Sequence, residues 1–75
     1  MELYSLIIKF DSTDNIFVAS IPELPGCIAH GKTQEAAIKE IRIAAEMWIE
    51  AAQEEGWDIP QPLLYESHLA SSPAV

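Results

Sequence analysis

Cys27 and His30 are the residue types that most directly suggest chemistry, because a thiolate activated by an imidazole is a common nucleophilic pair. Their spacing argues against it. The run Cys27-Ile28-Ala29-His30 reads as a short strand, and residues three apart in a strand point to opposite faces. No acid is evident to orient the imidazole. Cys27 is therefore expected to be a buried structural cysteine beside a tight bend. Metal-assisted hydrolysis is the other option, and it needs several carboxylates converging on ions ~4 Å apart. Asp11 and Asp14 share the turn-forming cluster Asp11-Ser12-Thr13-Asp14-Asn15, where short side chains more often bond nearby backbone amides. Glu23 lies in a bend, and most remaining acids fall in one helical run. With one cysteine there is neither an intramolecular disulfide nor a thiolate metal site. The expectation is a protein that is not an enzyme, with no catalytic residues, no metal and no cofactor.

The elements that carry these residues follow from periodicity. Residues 2–10 have strand character, with Tyr4, Leu6, Ile8 and Phe10 on the face expected to meet the core. The opposite face, Leu3, Ser5, Ile7 and Lys9, is mixed. A turn over 11–15 leads into a second strand over 16–21, so a hairpin is the simplest connection. Pro22-Glu23-Leu24-Pro25-Gly26 must then form a rigid, non-repetitive bend, since two prolines remove ladder donors and fix φ. A third strand over 27–30 ends at Gly31. Thr33 is a good N-cap, and the helix after it should run from 34 to 54 or 55, with Gly56 as the left-handed residue that stops it.

At 100° per residue, Ala37, Ile38, Ile41, Ala44, Ala45, Trp48, Ile49 and Ala52 form one stripe, the side that should face the sheet. Glu35–Lys39 and Arg42–Glu46 are (i, i+4) pairs on the polar side. Ile43 and Met47 do not fit the stripe. They lie one turn apart, roughly opposite its centre and beside Ala36, and are candidates for a partner or self-association surface, or for packing under Trp57. Leu63-Leu64-Tyr65 could add a short edge strand. The fold class expected is α+β, β-β-β-α-(β), an antiparallel sheet with one long helix across it. One domain over 1–65 with a loosely ordered tail over 66–75 is the expected organisation.

The chain has 75 residues, room for one small domain. Lys and Arg number 4 against 12 Asp and Glu, a net charge of −8 that repels phosphate and favours a basic protein partner over nucleic acid. No apolar run approaches the ~18 residues of a membrane span, and the amino end lacks the pattern of a secretory signal. A cytoplasmic location, away from any membrane, is expected.

The run Pro22-Glu23-Leu24-Pro25-Gly26-Cys27, followed by Gly31, Thr33, Glu35 and Ala36, resembles the signature of HicB-like antitoxins. Tyr4 and Phe17-Val18-Ala19 match that family's first hairpin, and Ile59-Pro60-Gln61-Pro62 matches the segment after its helix. The resemblance covers about residues 1–62. It implies a fold similar to part of ribonuclease H without that enzyme's catalytic set. It also implies a role, the silencing of small basic HicA toxins, which are RNases. Asn15 stands where many members have Gly, and Asn tolerates the left-handed conformation. Full-length members usually carry a C-terminal DNA-binding domain. This sequence ends at Val75 without one, so a short, stand-alone member is expected and operator binding is not carried over.

Two functions of different class follow. The first is a HicB-type antitoxin that masks a HicA-like RNase by steric and electrostatic occlusion. Its helix acids Glu35, Glu40, Glu46, Glu50, Glu54 and Glu55 would serve as a decoy for a basic RNA-binding surface. The alternative is an orphan homo-oligomer, a homo-dimer or larger, with a regulatory role and no toxin. The candidate interface residues are Ile43, Met47, Ala36, Glu40 and Glu50. Pro22, Glu23, Leu24, Pro25, Gly26, Cys27, Gly31 and Thr33 are expected to be architectural.

Overall fold

The computed structural model describes residues 3–65. Three strands, β1 (Ile7–Asp11), β2 (Ile16–Ser20) and β3 (Ile28–Gly31), are followed by one helix, α1 (Gln34–Glu55). The sheet is antiparallel throughout, in the order β1-β2-β3. The expected β-β-β-α order is therefore found. The expected tail over 66–75 lies outside the described residues.

Register decides which side chains face the helix. Ile8 pairs with Ala19 and Ala19 with Ala29, while Phe10 pairs with Phe17 and Phe17 with Gly31. These residues point toward α1, and the alternate set, including Ile7, Val18, Ile28 and His30, points away. α1 packs mainly on β3 and less on β2. That asymmetry explains one departure from expectation. Ile8 and Tyr4 pack against the core, but Leu6 and Phe10 are 41% and 55% exposed, since α1 lies toward β3 rather than over β1. Phe10 instead sits edge-on to Phe17, ring centroids 5.2 Å apart.

β1 also begins later than the strand pattern suggests, at Ile7 rather than residue 2. Tyr4 and Ser5 are used elsewhere. The Tyr4 hydroxyl donates to the Pro60 carbonyl, and Ser5 binds the Glu23 carboxylate. The possible fourth strand at Leu63-Leu64-Tyr65 is likewise absent among the described residues. The Leu63 amide, which a ladder would need, donates to Glu23 Oε2 at 2.9 Å.

The local signals at the helix and turns act as the residue types require. Thr33 Oγ1 accepts from the Ala36 amide at 3.0 Å. Gly56, at φ 75°, and the Trp57 amide, 2.8 Å from the Ala52 carbonyl oxygen, close the other end as a Schellman motif. Asn15 occupies the left-handed region at φ 55°, and Asp11 Oδ1 accepts from the Thr13 amide at 2.9 Å.

The core is narrow. Ala19, Ala37 and Ala45 are fully buried, with Leu24 and Ile41 the largest side chains wholly enclosed. Small residues on both surfaces let α1 lie close to the sheet. Closest of all is the end of β3: a Cβ on Gly31 would come within 2.6 Å of the Ala37 amide nitrogen and 2.7 Å of the Ala36 carbonyl carbon. The strand can pass beneath the first turn of the helix because residue 31 has no side chain.

Candidate protein-binding surface

Residues 21–27 set one boundary of the surface. Two turns run back to back: the Leu24 amide donates to the Ile21 carbonyl, and the Cys27 amide to the Leu24 carbonyl, both at 3.0 Å. Each has proline at its second position, and Gly26, at φ 79°, supplies the left-handed third position of the second turn. This double turn drives Leu24 and Cys27 into the core and holds the Pro25 carbonyl outward, where Trp48 Nε1 donates to it at 2.9 Å. Trp48, expected in the core, is thus half-buried against it.

Glu23 is the unexpected member of this bend. It is only 7% exposed, yet its carboxylate accepts from the Ser5 amide, the Ser5 hydroxyl and the Leu63 amide, all through Oε2 at 2.9 Å. Burial alone would raise its pKa. The hydrogen bonds outweigh that and hold it below the ordinary carboxylate value, so Glu23 is a charged clamp joining three chain segments. An acid set between two prolines and beside a leucine that must be buried is the only sign of this in the sequence.

The residues suggestive of chemistry are held apart. Cys27 is buried, and that burial pushes its thiol upward, the reverse of an activated nucleophile. His30 is exposed on the sheet face turned away from α1, opposite Val18 in register. Asp11 is engaged with its own turn. Among the described residues no three His, Cys, Asp or Glu side chains are grouped to hold a metal ion.

What the structure does bring together is apolar surface. The stripe from Ala37 to Ala52 is buried or half-buried, as its phase requires, and Ile43 and Met47 emerge 46% and 65% exposed. Ala36, Glu40, Ile43 and Met47 line one wall of an open groove whose other wall is β3. Glu50, three residues beyond Met47, is exposed but does not line it. Ile28 of β3, not singled out by the sequence, borders the same groove and is 62% exposed. Lys39 and Arg42 border a different depression with Ile38, on the other side of Ile43.

A family model described as the HicB-like antitoxin of bacterial toxin-antitoxin systems matches residues 4–73. The chain belongs to this family. The N-terminal domain of the Burkholderia pseudomallei antitoxin HicB, known from its crystal structure, superposes with a TM-score of 0.68 at 25% identity, covering 92% of this chain and 80% of that one. A UPF0150 protein of Synechocystis sp. is 37% identical over 54 residues, 72% of this chain and 74% of its own length. Another, from Thermoplasma acidophilum, is 36% identical over 58 residues, 77% of this chain and 83% of its own. In this HicB-like chain, Pro22 to Cys27 form the double turn, Thr33 caps the helix, and Gly31 allows strand and helix to touch. No helix among the described residues is long and apolar enough to cross a membrane.

Proposed function

We propose that this HicB-like chain is the antitoxin of a small basic HicA-like RNase, which it masks by occupying the toxin's RNA-facing surface. Family membership supports the antitoxin role. The observation that carries the masking mechanism is the exposed Ile43–Met47 strip on an acidic helix, alongside the free edge of β3. Such a surface offers apolar contact at its centre and anionic groups around it, complementary to a protein that binds RNA. The chain itself supplies no chemistry. Its net charge of −8 opposes direct contact with nucleic acid, and the target of its action is cytoplasmic.

The test is co-expression with the product of the adjacent gene, followed by pull-down and an RNA-cleavage assay with and without this chain. A co-purifying complex with suppressed cleavage is the expected result. A folded, active neighbouring RNase that neither binds nor is inhibited would overturn the reading.

A second reading, an orphan homo-oligomer, has one specific observation in its favour. The sheet face turned away from α1 carries Ile7 and Ile28, both exposed and both paired with Ser20 of β2, with Val18 in the next row on that face. Sedimentation of the chain alone separates the readings. A stable oligomer that ignores a basic partner supports the second.

A further inference from the structure

We propose that the free edge of β3 is a strand-addition site, which takes an extended basic segment of a partner protein, aliphatic at its centre with Lys or Arg toward both ends, into the groove beside Ile43 and Met47. The proposal rests on the antitoxin reading for why a basic partner exists.

β3 pairs with β2 on one side only, and no strand lies on its other side among the described residues. An unpaired edge presents backbone donors and acceptors at strand spacing. The groove beside it has a simple origin. The β3 residues facing α1 are Ala29 and Gly31, and the helix residues nearest them include Ala36 and Ala44. Strand and helix touch at Gly31, and the small residues at these positions leave the groove beside them unfilled. A strand added to β3 would continue the sheet, and its alternate side chains would enter the groove against Ile43 and Met47. The intervening side chains would cover Ile28 on the opposite face. One added strand thus covers three exposed aliphatic side chains that no described part of this chain covers.

Charge selects the occupant. Ile43 and Met47 are bracketed by Glu40 and Glu50, and the two basic residues of the helix, Lys39 and Arg42, line the other depression. Two copies of this chain, each at −8, would meet at this edge with like net charges. A partner with cations on either side of an aliphatic centre meets no such conflict.

The probe is the acetylated, amidated peptide Lys-Lys-Val-Val-Val-Lys-Lys, titrated into the full 15N-labelled chain. Its controls are a Glu-for-Lys analogue and an analogue with proline at the central valine position's neighbours, which cannot pair. Expected are amide shifts concentrated on Ile28, Ala29, His30 and Gly31, with affinity about tenfold or more weaker for both control peptides and for the Met47→Glu chain. Equal binding of the proline analogue, or shifts confined to Glu46, Glu50 and Glu54, would reduce the effect to diffuse attraction and overturn the proposal. So would a chain that sediments as a dimer dissociated by Met47→Glu, since a second copy would then hold the edge. Failure of the antitoxin reading appears separately, in the co-expression assay. A complex that forms there but leaves the β3 amides open to hydrogen exchange overturns the strand-addition mode alone.

Discussion

Glu23 Oε2 lies 2.9 Å from the Leu63 amide nitrogen, so a carboxylate in the bend before β3 fixes the segment that follows the helix, forty residues away. Ser5 binds the same oxygen. The start of the chain, the double turn and the post-helix segment are thereby joined at one charged group, and Tyr4 adds a second tie through Pro60. In a domain of this size, whose total stability is on the order of a few kcal/mol, such a junction is a large share of what holds the periphery in place.

Replacing Glu23 by Ala should therefore cost roughly 2–3 kcal/mol, because charge-assisted hydrogen bonds are lost and their donors are left without partners. Glu23→Gln should recover part of it, since its carbonyl oxygen can take the place of Oε2 but without the charge. Urea denaturation of the three proteins at neutral pH measures both effects.

The same carboxylate imposes a pH dependence with a definite sign. Its pKa in the folded chain is lowered from the ordinary value of 4.5, so the folded state holds the proton less tightly than the unfolded state. Its contribution is complete above that value and is lost as the pH falls through the lower, folded-state value. Stability should thus decline in acid more steeply for the native chain than for Glu23→Gln. Parallel curves for the two proteins would show that other carboxylates govern the acid transition.

Gly31 should not tolerate even a methyl group. The atoms a Cβ would meet include backbone atoms of Ala36 and Ala37 in the capped first turn of α1, which cannot rotate aside. Gly31→Ala should cost about 1–3 kcal/mol through forced separation of strand and helix. Gly26→Ala meets no atom within 4 Å and should cost only the smaller strain of its positive φ. The contrast between these variants in thermal denaturation isolates the close approach from the backbone effect.

Much of this architecture is legible from local chemistry. Thr33, Gly56, Asn15 and the Pro22–Gly26 run each have a conformational requirement that their immediate neighbours satisfy, so a short window suffices to read them. The helix phase is equally legible, because burial of Ala37, Ile41, Ala45 and Ala52 repeats at helical spacing. What depends on three-dimensional placement is not. Phe10 shares an alternating face with Ile8, yet is exposed because α1 lies toward β3, and nothing in the strand itself encodes that offset. Ser5 and Leu63 leave strand geometry for a carboxylate that is distant in sequence from both. Ile28 borders the groove only because β3 is the edge strand under the helix, so the groove emerges from topology while its helical wall is visible from periodicity.

The helical wall yields the most direct functional prediction. Ile43 and Met47 lie outside the buried stripe of α1 and are exposed, so Ile43→Asp combined with Met47→Asp should leave the helical circular dichroism signal and the unfolding midpoint nearly unchanged. Ile41→Asp, by contrast, puts an unpaired charge at a fully buried position and should unfold the chain. With folding intact, the double variant should lose its hold on a basic RNase partner, since both aliphatic contacts are replaced by groups that prefer water. Pull-down and cleavage assays of the three proteins read this directly. If the double variant unfolds, the strip carries packing that its exposure does not show. If it folds and still suppresses cleavage, the partner is held elsewhere, and the sheet face carrying Ile7 and Val18 becomes the surface to substitute next.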